Sequence, residues 1–221
     1  MKILLMDLCG AGGTLALAES ERQSAVMAAS ALAPRSAAAT LLPAVRQLLA
    51  GAGVELKQLA AIAIVHGPGS FTGVRIGVSA AKGLSEGAGV PVVAVSRLAV
   101  LASLCPGSGY AVLDAGRGEF YVRSSDGNEA MMTRAELAAA LAETPGSLCA
   151  CESRVAEALA EFNPALAAEP TAADAYALAA QRVEAADFAD TAVLDANYLR
   201  RADAEMLEKQ RAAMAGRVGA H

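Results

Sequence analysis

The sequence predicts a two-lobed α/β protein in which one βββαβα unit is used twice. Both halves open with an apolar strand that ends in Asp, a Gly-bearing turn and a second strand: MDLCGAGGTLAL in the first, LDAGRGEFYV in the second. After each opening, strand-like and helix-like periodicities alternate. The hydrophobic content, 55% of 221 residues, is ample for a large core, and much of it is alanine, which signals helix propensity and close helix packing.

The elements follow in order. KILLMDL, GTLALAES and roughly Gln23 to Ala29 read as a three-strand meander punctuated by the Gly10 to Gly13 turn. Helical spacing runs from Ser36 to Leu49, with Leu41, Leu42, Val45, Leu48 and Leu49 on one face; Pro43 kinks this helix or sits in its first turn, and Gly51 and Gly53 end it. A buried strand, LAAIAIVH, leads through a glycine-rich turn into a helix from about Phe71 to Glu86, then the strand VPVVAVS and a helix from Arg97 to Leu104. The pattern restarts with YAVLDAG, EFYVRSS, a short strand near Met131, a helix from Arg134 to Glu143, the strand SLCACES, and helices from Val155 and Ala172. This doubled unit is the organisation of the actin-like ATPase (Hsp70/sugar kinase, ribonuclease H-like) fold. It places an N-terminal lobe at 1–106 and a C-terminal lobe at 107–221, with the tail from about 204 folding back on the first lobe or fraying.

Composition excludes several function classes. A formal net charge of −5 gives no broad attraction for phosphate backbones, so a tight direct tRNA binder would look different. No apolar run approaches the roughly 20 residues of a membrane span, and the opening residues read as a first strand and not as a secretory signal. Cys149 and Cys151, one residue apart, would strain a mutual disulfide, and with Cys9 and Cys105 they fit a reducing cytoplasm. The two histidines, His66 and His221, lack the paired spacing of a zinc site, so no metal site is expected.

Residues 65–77, VHGPGSFTGVRIG, carry the most information. Gly67, Pro68 and Gly69 form a tight strand-to-helix turn, Ser70 is a plausible N-cap, and the free N–H groups of the first helical turn suit an anion. The loop lacks the Lys and Ser/Thr of a Walker phosphate loop, and Arg75 follows Gly73 and Val74 instead; Gly67, Gly69, Ser70 and Arg75 are thus weak nucleotide or anion candidates. Along the helix, Arg75, Ser79, Lys82 and Glu86 form one polar stripe, and Gly73, Gly77 and Ala81 leave a smooth strip for a close neighbour. Each interior glycine costs about 1 kcal/mol against alanine, which calls for a compensating contact. The helix 36–49, with Arg46 its lone charge, fills part of that strip, and the two together expose an apolar face suited to a partner's helices.

GPGSFTGVRIG after a hydrophobic strand, with AAKGL following, resembles the signature of the TsaB (YeaZ) family, once grouped with glycoprotease-like proteins. LLPAVRQLL, VPVVAVSRL, VLDAGRGEFYV and NYLRR at 197–201 occur in matching order; the likeness is weak between about Asn128 and Asp190. The resemblance implies a non-catalytic paralogue of TsaD, the enzyme that transfers threonylcarbamoyl to the adenosine beside the anticodon of tRNA. It also implies pairing with TsaD through first-lobe helices, with the ATPase TsaE joining the pair, a homodimer when alone, and tRNA contact only through the complex. Carried over, the partner-binding positions are Leu41, Leu42, Val45 and Leu49 on one helix and Phe71, Thr72, Gly73, Ile76, Gly77, Ala80 and Ala81 on the other. No cofactor is expected of the chain alone; ATP or ADP would belong at an interface of the complex.

The chemistry of the superfamily survives only in fragments. Asp7 and Asp114 sit where phosphate-loop or metal-binding carboxylates would sit, and they read more simply as strand-end turn residues. The alternative reading is a small-molecule kinase or ATPase using these two aspartates with magnesium and ATP. The second lobe has SLCACESRVAEAL where an adenosine-binding glycine cluster would open a helix, and the first long helix begins PRSAAATLLP, with Ala37 where many TsaB relatives keep a histidine. His66 reads as a strand-end side chain and not a base. Two histidines in unrelated contexts make no Ser/His/Asp or Cys/His arrangement, which argues against a peptidase. Asp114 and Glu119 could act as paired carboxylates, but GRGEF between the strands is more simply a hairpin turn. Tyr198, Leu199, Arg200 and Arg201 read either as a basic contact or as packed apolar residues beside solvated arginines.

Overall fold

A computed structural model describes residues 1–20 and 25–199. Strands β1 (Lys2–Asp7), β2 (Gly13–Glu19) and β3 (Val26–Leu32) form an antiparallel meander. Two further strands, β4 (Ala61–Val65) and β5 (Val92–Val95), extend it parallel to β1, in the order β3-β2-β1-β4-β5. Every residue of β4 and β5 is buried, as parallel strands covered on both faces must be. The third strand lies three residues beyond the expected Gln23–Ala29, because the ladder pairs Gly13 with Leu32.

The second sheet repeats the first. Its strands β6 (Tyr110–Gly116), β7 (Glu119–Ser124), β8 (Glu129–Thr133), β9 (Leu148–Ala150) and β10 (Ala165–Leu166) run in the order β8-β7-β6-β9-β10, so β6 to β10 correspond one by one to β1 to β5. This is the doubled topology of the actin-like fold. The β6–β7 turn has Arg117 at φ 58° and Gly118 at φ 78°, the left-handed pair of a two-residue hairpin, and it separates Asp114 from Glu119 as a hairpin turn would.

Helices α1 (Ala37–Gly51) and α2 (Phe71–Ala88) pack on the first sheet and on each other. In α1, Leu41, Val45, Leu48 and Leu49 are buried at helical spacing, whereas Leu42 is 54% exposed and does not join that face. Pro43 lies inside α1, in its second turn. Helix α2 starts at the Ser70 cap, whose Oγ accepts the Gly73 N–H at 3.2 Å. It ends two residues later than expected, where Gly89 takes the left-handed conformation at φ 67°. In the second lobe, α4 (Arg134–Glu143) opens with a Thr133/Glu136 capping box and α5 (Ser153–Ala158) follows β9.

The two remaining helices are exchanged between the lobes, which corrects the 1–106 and 107–221 division. Helix α3 (Arg97–Leu104), expected in the first lobe, buries Leu98 and Leu101 against Ala111, Leu113 and Cys149 of the second. Helix α6 (Tyr176–Glu184), reached through a 3-10 turn at Ala173–Ala175, packs on β5 and β1; Ala172, Ala175 and Ala179 are wholly within the first-lobe core. The chain therefore returns to the first lobe about thirty residues before position 204, because this alanine-rich segment fits closely on a covered sheet. Arg200, Arg201, His221 and the tail from about 204 lie outside the described residues. Cys149 is bonded not to Cys151 but to Cys105, across 44 residues, with a Cα–Cα distance of 6.2 Å, where four reduced thiols were expected. Cys9 and Cys151 are free. No helix among the described residues is long and apolar enough to cross a membrane.

Candidate functional site

Two regions bear on function: a cleft between the lobes and the outer face of α1 and α2. The cleft encloses about 1170 Å³ and is lined by the Cys9–Ala11 turn, Gly69 and Ser70 from the first lobe, and Asp114, Glu152 and Arg154 from the second, with Arg97 and Glu169 between them.

Asp7 lies beneath the first-lobe side of the cleft and is 3% exposed. Its Oδ1 accepts the Cys9 N–H at 2.7 Å. Burial pushes its carboxyl up from the usual 3.8, opposed chiefly by the Arg97 guanidinium. The neighbouring Cys9 thiol donates to Val65 O at 3.3 Å, and burial raises it well above its ordinary value, so it is no nucleophile. Burial likewise pushes the Cys151 thiol up to about 11. Asp114 holds the equivalent place in the second lobe. Its Oδ1 accepts the Gly116 N–H at 3.0 Å, and its Oδ2 lies 3.0 Å from Arg154. Glu152 accepts the Asp114 N–H at 2.8 Å and also meets Arg154 at 3.1 Å. Both aspartates thus serve as turn formers through Oδ1. Among the described residues no three His, Cys, Asp or Glu side chains are grouped as metal ligands.

The structure divides the four anion candidates. Gly69 and Ser70 line the cleft, where Gly69 is pressed so closely on Cys9 that a Cβ there would stand 2.5 Å from Cys9 O. Gly67, at φ 115° before a cis Pro68, packs under Asn197 instead. Arg75 is engaged by the strap: its Nε donates to Tyr198 Oη at 2.5 Å, and its guanidinium lies 3.9 Å from the centre of the Phe71 ring. Lys82 Nζ donates to Leu194 O at 3.1 Å, so the polar stripe of α2 holds down the segment 194–198. His66 also serves that segment through Asp195 O at 3.4 Å, and burial lowers its basicity. The strap is locked by Glu129 of β8, which accepts from Ser96 at 2.5 Å, Arg123 at 2.9 Å and Asn197 at 3.0 Å.

The partner-binding candidates also divide, and the division is a correction. Leu41, Val45, Leu49, Gly77 and Ala81 are buried in the chain's own core. A Cβ on Gly77 would stand 2.9 Å from Ile64 Cδ1, and one on Gly73 would collide with Leu8 O, so the expected smooth strip seats α2 on the sheet. The outward strip is rotated by one residue. It comprises Thr72, Ile76, Ala80, Gly83 and Gly87, and a Cβ on Gly83 or Gly87 would meet nothing within 4 Å. Leu42 and Phe71, at 54% and 58% exposure, are the large apolar members left on the surface. Along α1 the exposed positions from Ala38 to Gly51 include one charge, Arg46.

Sequence reasoning passed over Arg97 and Glu169. Arg97 did carry a signal, being the only charged residue between Glu86 and Asp114. A lone charge in so apolar a stretch needs a buried partner. Glu169, 72 residues away, carried none.

Comparison with known proteins agrees with this architecture. A family model described as TsaD, tRNA N6-adenosine threonylcarbamoyltransferase, matches residues 29–144. A crystal structure from Pseudomonas aeruginosa, described as an uncharacterized protein with similarity to peptidase YEAZ, is 30% identical, covers 90% of this chain and 99% of its own, and superposes with a TM-score of 0.75. The tRNA threonylcarbamoyladenosine biosynthesis protein TsaB of Escherichia coli is 39% identical over 102 residues, 46% of this chain and 43% of that protein. The TsaB of Haemophilus influenzae is 45% identical over 71 residues, 32% of this chain and 30% of that protein. The matched stretch therefore spans less than half the length of these curated relatives. The fold and these likenesses define a two-lobed α/β protein of the TsaD-like class. Within that class, the chain belongs to the TsaB (YeaZ) family.

Proposed function

We infer that this chain is the non-catalytic subunit that supports TsaD in threonylcarbamoyl transfer to tRNA. The observation that carries this reading is the outer face of α1 and α2. Gly83 and Gly87 are helix-interior glycines with no described atom within 4 Å of where a Cβ would stand, and neighbouring α1 presents exposed Leu42 on a surface whose one charge is Arg46. Among the described residues nothing compensates their helix cost, and an approaching helix of a partner would. TsaD, as a paralogue with the same two helices, is that partner in this reading. In the absence of TsaD the same face would pair two copies. TsaE would join the heterodimer, tRNA would be met through the complex in the cytoplasm, and ATP or ADP would sit at an interface of the assembly.

The engaged aspartates speak against the kinase alternative. A magnesium-ATP site needs carboxylate oxygens open to the cleft at both lobes, whereas Asp7 is 3% exposed and Asp114 is shared between Gly116 and Arg154. The reading is tested by co-expression with the TsaD of the same organism and size-exclusion chromatography. A heterodimer that Leu42→Glu and Gly83→Leu abolish, while each variant alone stays folded, supports it. A heterodimer indifferent to both substitutions places the interface elsewhere.

A further inference from the structure

Three of the four cysteines meet at one small apolar cluster behind the cleft. Cys149 is fully buried there with Leu98, Leu101 and Leu113, and the half-buried Cys105 and Cys151 pack against the cluster. The Cys105–Cys149 bond joins two separate elements. Cys105 caps the C-terminus of α3 beside exposed Pro106 and Gly107, and Cys149 is the middle residue of β9. Both elements reach the cleft at their other ends. Arg97 opens α3, its Nη1 donating to Cys9 O at 3.2 Å and its Nη2 to Glu169 Oε1 at 2.9 Å, while the N-cap Ser96 donates to Glu129. Strand β9 runs directly into residues 151–154, which wall the cleft on the second-lobe side. The reduced state is accommodated as well. The Cys149 sulfur lies 4.0 Å from Leu101 O, an acceptor that a thiol can use and a disulfide cannot. A buried cysteine otherwise behaves as a small apolar residue, so the packing of this cluster does not depend on the bond.

We propose that Cys105 and Cys149 form a reversible redox staple, closed by exchange with a low-molecular-weight disulfide such as oxidised glutathione, which sets the rigidity of the cleft between the lobes. Cys105 is the point of entry, because Cys149 is shielded from any reagent. The Cys105 thiolate attacks the small disulfide, forms a mixed disulfide and releases one small thiol. The Cys149 thiolate then attacks the Cys105 sulfur and displaces the second. The protein sulfurs are oxidised, the small disulfide takes up the two electrons, and the protons of the two protein thiols end on the two released thiols. An excess of the small thiol runs the same steps backwards. Cys151 does not compete: burial pushes its thiol up to about 11, and a bond to Cys149, two residues away, would be strained. With the staple closed, α3 is held at both ends, by Ser96 and Arg97 at the cleft and by Cys105 behind it. With the staple open, the C-terminus of α3 is free of the strand that carries the 151–154 wall. Among reducing thiols a bond of this kind is transient and regulatory, not structural.

The full chain is equilibrated in glutathione buffers that run from a cytosolic to an oxidising poise, its thiols are trapped by alkylation, and its peptides are mapped by mass spectrometry. Cys105 and Cys149 should oxidise together and reversibly, with Cys9 and Cys151 remaining thiols. Hydrogen exchange of the oxidised and reduced forms, with no substitution made, should show protection at 99–105 and 148–154 lower by about tenfold or more when the bond is open, and unchanged at 61–65. Cys105→Ser, at a half-buried position, cannot close the staple and should match the reduced form at every poise. Three results would each overturn the proposal. A pair that stays reduced at the most oxidising poise forms no staple. A bond that survives excess reduced glutathione is a permanent cross-link, and equal exchange in the two forms means a bond with no hold on the cleft.

Discussion

Asp7 and Asp114 occupy equivalent points of the two lobes: each accepts, through Oδ1, the backbone N–H two residues further on, Cys9 at 2.7 Å and Gly116 at 3.0 Å. Their surroundings then diverge. Asp7 is sealed in the core beside Arg97, whereas Asp114 faces the cleft against Arg154. One unit has been used twice, with its first carboxylate buried in one copy and ion-paired in the other.

That burial has a pH signature. The folded-state pKa of Asp7 is raised above its ordinary 3.8, so the fold favours the protonated acid. The contribution of this group to stability is fully present below about pH 3.8 and is lost as pH rises through the raised value. Asp7→Asn keeps an acceptor for the Cys9 N–H and has no charge to bury. Its melting temperature relative to the unsubstituted chain should therefore climb as pH rises above about 3.8 and level off once Asp7 is ionised in the folded state. A relative melting temperature that falls over this range would mean that Arg97 outweighs burial.

Glycines on opposite sides of α2 should respond oppositely. Gly83 has open space above it, so Gly83→Ala should stabilise the isolated chain by up to about 1 kcal/mol while weakening the heterodimer. Gly77→Leu would drive a side chain into Leu8 and Ile64 and should cost about 1–3 kcal/mol or more. Urea unfolding of the two variants checks both signs.

Glu129 joins the second lobe to the first. Its side chain is 12% exposed and accepts from Ser96, Arg123 and Asn197. Glu129→Ala strands three donors and should destabilise the chain by about 2–4 kcal/mol, with amides of 194–198 losing protection in hydrogen exchange. Unchanged protection there would show that the strap is held by α2 alone.

Much of this architecture is legible in the chain. The fully apolar runs at β4 and β5, the Ser70 cap and the paired Asp-plus-glycine openings each follow from a local rule that tertiary packing did not override. The exchange of α3 and α6 was not legible, because RLAVLASL and YALAAQRVE carry apolar faces that fit either sheet. The strip on α2 was misplaced by one residue, about 100° of helix rotation, since residues on both sides of it are small. The Cys105–Cys149 and Arg97–Glu169 partners lie 44 and 72 residues apart, and no spacing rule reaches that far.

The most direct test of the central claim is threonylcarbamoyl transfer to tRNA by the organism's own TsaD and TsaE, with and without this chain. The account predicts that transfer requires the chain, that it survives Asp7→Asn combined with Asp114→Asn, and that it is lost with Leu42→Glu and Gly83→Leu. Transfer that proceeds equally well without the chain, or that stops when the two aspartates are replaced in a folded protein, would contradict it.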